Sequence, residues 1–272
     1  MRRIAFISEK GGAAKTTTAI NVAVGLAKSG LRVLACDLDP QSNLSLVFLE
    51  GKPADAPTVG AVLLDQADAH EAIRPTATPG LDILPADVTL ADANLALASV
   101  VGRERRLRVA LEDLRGRYDA VVLDTSPQRS LLTVNALVFA EEVYIPIDPG
   151  LFAVAGLGQL QATVDEVRRY LDNRALRIAG LILTRTRNDN VSRDVEGQLR
   201  TMFGELVKRS AIPTNAKVEE SHSRFQSVLD YAPRSAGAKA YAELVMEIIA
   251  DGRTTHGTRE PADRPTQAHH AA

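Results

Sequence analysis

One cysteine in 272 residues, Cys36, has no partner within the chain for a disulfide, a CxxC zinc site or a multi-thiolate cluster. The five histidines, His70, His222, His256, His269 and His270, are scattered or terminal. A histidine-built metal centre is therefore not expected, and any bound metal should take oxygen ligands. Tryptophan is absent and aromatics make up 4% of the chain, which predicts an aliphatic core and a nucleic-acid surface, if there is one, that grips phosphate and does not stack bases. No apolar run reaches the roughly 18 residues of a membrane span, so a soluble cytoplasmic protein is expected. The net charge is only −2, from 32 basic and 34 acidic side chains, so attraction to nucleic acid or anionic lipid must come from a local patch.

What the chain does have is 45% hydrophobic and 24% charged residues, and enough length to bury one large core or two small ones. Short β-type runs alternate with helical patterns: strands are expected at Ile4 to Ser8, Arg32 to Asp37, Leu81 to Pro85, Ala120 to Asp124, Val143 to Ile147 and Ile178 to Thr184. The alternation predicts an α/β fold, a doubly wound and mostly parallel sheet with helices on both faces. Lys15 to Ser29 puts Ala19, Ile20, Ala23, Val24 and Ala27 on one helical face before Gly30 stops it. Leu157, Leu160, Val164, Val167 and Leu171 step by three and four, too briefly for a coiled coil, and read as a core-facing helix. A single domain is expected over residues 1–251. From Gly252 on there is no Ile, Leu, Val or Phe, and residues 252–272 read as a disordered tail.

Between the first strand and the first helix stands Glu9-Lys10-Gly11-Gly12-Ala13-Ala14-Lys15-Thr16-Thr17. Strand, glycine-bearing turn and helix N-terminus form the layout of a phosphate loop: backbone N–H groups converge on phosphate, Lys15 neutralises it, and the Thr16 hydroxyl can ligate Mg²⁺. The strict GxxxxGK[ST] pattern fails, because Glu9 and Ala14 occupy both glycine positions.

Lys10-Gly11-Gly12-x-x-Lys15-Thr16-Thr17 resembles the deviant Walker A motif, KGGxGKTT, of the ParA/MinD ATPases, and Asp37-Leu38-Asp39-Pro40-Gln41-Ser42-Asn43 is similar to the DxDPQxN switch of the ParA branch. The likeness runs to about Asp251 and is to the small ParA type, without an N-terminal helix-turn-helix. It departs at Ala14, where the family has glycine; an added methyl there restricts the loop's dihedrals. The resemblance implies that ATP and Mg²⁺ are bound by Lys10, Gly11, Gly12, Ala13, Ala14, Lys15, Thr16, Thr17 and Pro213. It implies that Lys10 is a signature lysine reaching the partner's nucleotide in an ATP-bound homodimer. Read without the family, Lys10 is an exposed lysine at a loop mouth.

Asp124 ends the apolar run Ala120-Val121-Val122-Leu123, at the carboxyl edge of a buried strand where open α/β sheets bind ligands. That position suits a carboxylate holding Mg²⁺ through water, or one capping the next helix. Asp37 and Asp39, spaced by two, share a face of the second strand. By resemblance, Asp39 positions the attacking water, Asp37 supports the metal shell or the switch, and Thr16, Asp37 and Asp124 form the metal set. Lys10, Lys15 and Asp39 are the residues expected to carry slow hydrolysis.

Residues 168–239 hold 14 basic and 8 acidic side chains, whereas residues 37–80 hold 2 and 7. Such a basic segment can bind DNA phosphates without reading bases, or be a set of solvated helix faces. Arg185 and Arg187 follow the sixth strand, and Lys217 matches a basic position of the family segment IPRNxR; these three are the candidate DNA contacts. The C-terminal sequence has no basic amphipathic helix for membrane attachment. The expected partners are thus non-specific nucleoid DNA, a second copy in the ATP state and a ParB-like or adaptor protein that stimulates hydrolysis. A nucleotide-binding scaffold with negligible turnover is the alternative, and a small-molecule ligase or kinase on the same loop is a third.

Overall fold

Along the central strands successive side chains enter opposite cores. Ile4, Phe6, Val33, Ala35, Ala120 and Val122 pack on one face, and Ala5, Leu34, Cys36, Val121 and Leu123 on the other. Strands buried on both faces are what a parallel sheet covered by crossover helices requires, and the near-continuous apolar runs of the sequence follow from it. A computed structural model of the chain describes residues 1–8, 10–127, 130–150 and 155–255. Its strands are β1 (Arg2–Phe6), β2 (Val33–Leu38), β3 (Arg74–Pro75), β4 (Leu81–Leu84), β5 (Ala120–Thr125), β6 (Glu142–Ile147) and β7 (Arg177–Leu183). They form one sheet in the order β3-β4-β2-β5-β1-β6-β7, parallel except where β3 meets β4.

The helices are α1 (Lys15–Lys28), α2 (Asn43–Phe48), α3 (Val59–Leu63), α4 (Ala69–Ala72), α5 (Leu90–Ala96), α6 (Arg106–Ala110), α7 (Leu131–Phe139), α8 (Ala155–Tyr170), α9 (Asn190–Phe203), α10 (Ala216–Ser223), α11 (Val228–Tyr231) and α12 (Ala236–Thr255). One face of the sheet is covered by α1, α2, α11 and α12, the other by α3 to α9. As the sequence predicts, Gly30 ends α1 in a left-handed conformation (φ 88°), and α8 buries Leu157, Leu160, Val164 and Val167 in the core.

Beyond one-residue shifts at the ends of the other strands, the structure departs from the sequence reading in three places. The first strand spans Arg2–Phe6, two residues earlier than expected, because its register is set by β5, with Arg2 opposite Ala120. The edge strand β3 was not expected; it is two residues long and contains a proline, which carries no periodicity to read. The last helix continues past Asp251 through Gly252 to Thr255, which corrects the boundary drawn at residue 251. The reason lies at the other end of the chain. Arg2 donates to the Ile248 carbonyl (2.7 Å) and to both Glu142 oxygens (2.9 and 2.7 Å), and its guanidinium lies where a Cβ on residue 252 would stand 2.6 Å away. Gly252 is thus part of the packing against Arg2. The rest of the expected tail, residues 256–272, lies outside the described residues.

Candidate functional site

The loop that follows β1 rises at the centre of the sheet, with β5 and then β2 on one side and β6 and then β7 on the other. It enters α1 through Ala14, which adopts a left-handed backbone (φ 56°, ψ 31°) and caps the helix with its carbonyl, accepting from the Thr18 amide (2.9 Å) and hydroxyl (2.7 Å). An alanine in this region is strained relative to glycine, and it stands at the position that departs from the glycine pattern. Gly12, also left-handed at φ 82°, completes the turn. The α1 N-terminus has no acidic residue in its first turn and no side-chain cap, so its amides are available to an anion.

A cleft of about 550 Å³ opens over this loop. It is lined by residues 10–17, by Asp39, Gln41 and Asn43 of the switch, and by Arg185, Pro213 and Thr214 on the opposite side. Every loop residue named from the sequence as nucleotide-binding, together with Pro213 and Asp39, lies on this one cavity. Lys10 is exposed at its mouth, while Lys15 is buried. The Lys15 ammonium donates to Asp124 Oδ1 (3.1 Å) and to the Thr125 carbonyl.

Asp124 is fully buried, and its second oxygen, Oδ2, has no hydrogen-bond partner among the described residues. Burial pushes its pKa up, against the opposing pull of Lys15 and the Thr16 hydroxyl. Asp37 sits at the matching position of β2 and is fully buried too. Its Oδ1 accepts from the Asp39 amide (3.1 Å), and its Oδ2 from the Ser45 amide (2.8 Å) and hydroxyl (2.7 Å). The Ser45 hydroxyl in turn accepts from the Ala86 amide (2.8 Å). Of the two roles expected for Asp37, metal shell or switch support, its contacts here are those of the switch. Ser45 escaped sequence reading, since a lone serine two residues beyond the DPQxN stretch carries no signal. Asp39 accepts from the Gln41 amide (3.0 Å) and is 6% exposed.

The three candidate DNA contacts do not share one environment. Arg185 reaches into the cleft, where its Nη1 donates to the Gly12 carbonyl (3.2 Å). Arg187 is exposed just before α9. Lys217, in the first turn of α10, is exposed but paired with Glu220 (2.6 Å), with its ammonium 5.9 Å from the centre of the Tyr231 ring. Elsewhere in the basic segment Arg200 pairs with Glu196 and buried Lys208 with Asp251, so part of its positive excess is neutralised internally. Among the described residues no cluster of three His, Cys, Asp or Glu side chains could hold a metal, and no helix is long and apolar enough to cross a membrane.

A family model described as an AAA domain matches residues 1–178. The chromosome partitioning protein ParA of Caulobacter vibrioides is 40% identical over 256 residues, covering 93% of this chain and 96% of the relative. The chromosome-partitioning ATPase Soj of Thermus thermophilus is also 40% identical, over 92% of this chain and 96% of its own length. Among solved structures, the cobyrinic acid a,c-diamide synthase of Mycobacterium smegmatis with bound ATP analogue and magnesium superposes with a TM-score of 0.79 at 31% identity, covering 97% of this chain and all of that one. The loop, the switch carboxylates and relatives matched nearly end to end agree: the chain belongs to the ParA family of P-loop proteins.

Proposed function

We propose that the chain is a Mg²⁺-dependent ATPase whose slow hydrolysis times a positioning cycle. In the ATP state it forms a sandwich dimer through Lys10 and binds nucleoid DNA non-specifically. A ParB-like or adaptor partner stimulates hydrolysis and releases it, so that a centromere complex or protein assembly is segregated or positioned. The observation that carries this reading is the convergence of Lys15, Thr16 and Asp124 beneath the loop, with Asp39 on the same cleft.

The loop amides and Lys15 hold the phosphates, and Asp39 orients the attacking water in line with the γ-phosphate. The buried, unpartnered Asp124 Oδ2 fits a divalent cation beside it, because a positive charge there relieves the desolvation that raises the carboxyl's pKa. Thr16 and Asp124 would hold Mg²⁺, which when bound neutralises charge on the phosphate oxygens. Exposed Lys10 would reach a second subunit, and exposed Arg187 and Lys217 would offer cations to DNA phosphate.

Single-turnover phosphate release with DNA and the cognate partner tests the reading. Asp39→Ala is expected to abolish release while nucleotide binding persists; release absent from wild type supports the scaffold instead, and release independent of Asp39 contradicts the role given to Asp39. The likeness to the Mycobacterium smegmatis synthase supports a second reading, a nucleotide-driven ligase. That enzyme would release phosphate in response to a carboxylic acid acceptor and not to DNA.

A further inference from the structure

Arg185 stands in a basic segment and, by sequence, belongs with the DNA contacts. Its geometry places it elsewhere. The residue directly follows Thr184 at the end of β7 and turns back with a left-handed backbone (φ 54°), an unfavourable conformation for arginine that the surroundings hold in place. Its carbonyl accepts from the Thr214 hydroxyl (3.1 Å), and residues Thr186 and Pro213 pair as an isolated bridge. The turn directs the side chain over the phosphate loop, where Nη1 donates to the Gly12 carbonyl. Next to it the Thr184 hydroxyl donates to the Ala13 carbonyl (3.1 Å). Two successive residues of the β7 end thus hold two successive carbonyls of the loop.

We propose that Arg185 is a nucleotide-positioning residue of the cleft and not a DNA contact: it fixes the Gly12 carbonyl and turns its remaining guanidinium donors to the part of the nucleotide that ATP and ADP share. Strand order supports the assignment to the shared part. Asp39 follows β2 and Asp124 lies near the end of β5, both on one side of the loop, and Arg185 follows β7, on the other. The terminal phosphate belongs with the carboxylates, so a group on the β7 side meets the nucleoside-diphosphate portion. A planar guanidinium with several donors can bond the loop carbonyl and a nucleotide oxygen at once, which the point charge of a lysine does less well.

The inference rests on the nucleotide-binding reading above. Its test uses the full chain, with fluorescent ATP and ADP analogues for affinity and a random-sequence duplex titrated over salt at saturating ATP. Arg185→Ala is expected to weaken both nucleotides about tenfold, and Arg185→Lys by less, while the salt slope of DNA binding stays that of wild type. Thermal melts without nucleotide identify a variant that fails to fold, in which case the lysine variant alone decides. Nucleotide affinity within twofold of wild type, or a salt slope reduced by about one unit, the signature of a lost phosphate contact, overturns the proposal. Wild type that binds neither nucleotide would refute the underlying functional reading instead.

Discussion

Asp37 and Asp124 occupy matched positions in the pairing of β2 with β5, both without solvent exposure, yet among the described residues Asp37 has both oxygens engaged and Asp124 only one. Burial and the neighbouring Asp124 push the Asp37 carboxyl up, and the bonds from Ser45 and the Asp39 amide oppose them. Two equivalent-looking strand-end carboxylates therefore have different surroundings, one built into the switch and one bonded through a single oxygen to Lys15.

That difference predicts the effect of Ser45→Ala. The change removes a donor to a buried carboxylate and orphans the Ala86 amide, so the nucleotide-free protein should lose about 1–3 kcal/mol. Urea unfolding checks it, and an unchanged midpoint would mean the Ser45 contacts do not hold the switch.

His222, on α10 at the edge of the cleft, has a buried Nε2 with no partner among the described residues, and burial pushes its pKa below the ordinary value, with Glu219 opposing. The unfolded chain then binds more protons than the folded one as pH falls below about 6.5, so this contribution is full above that pH and is lost on the way down towards the folded pKa. His222→Gln should flatten the decline in unfolding free energy between about pH 7 and pH 5.5. An equally steep decline in the variant would place the titration elsewhere.

Gly180 in β7 packs against Tyr144 and the side chain of Lys208, which crosses it to reach Asp251. A Cβ there would meet the Tyr144 ring at 3.1 Å and run into Lys208, so Gly180→Ala is expected to destabilise the fold by about 1–3 kcal/mol. Thermal melting of the nucleotide-free chain reads this, and no shift would show that Lys208 yields freely.

The strand, loop and helix at the N-terminus could be read from sequence because each step has a local cause: an apolar run, small residues in a turn, and a periodic face ending at Gly30. Asp39 and Asp124 could be read for a related reason, as carboxylates at the ends of buried strands. Arg185 could not be placed, because its direction depends on one left-handed backbone torsion and on a loop 173 residues away. The end of α12 was misjudged for a similar cause. Composition made Gly252 look like the start of a tail, whereas its missing side chain makes room for Arg2 from the other terminus.

Lys217→Glu bears on the proposed DNA surface. Lys217 already pairs with Glu220, so the reversal both removes a cation and sets two carboxylates together. Binding to any duplex should weaken, with a flatter salt dependence, in fluorescence anisotropy. A loss confined to one sequence would contradict a phosphate-gripping surface.

The most direct test of the central claim is sedimentation velocity of wild type and Lys10→Ala with Mg²⁺ and a fluorescent ATP analogue, reading mass and nucleotide occupancy together. Wild type should sediment as a nucleotide-bound dimer and the variant as a nucleotide-bound monomer. Wild type that sediments without nucleotide, or a variant that dimerises as wild type does, would contradict the account.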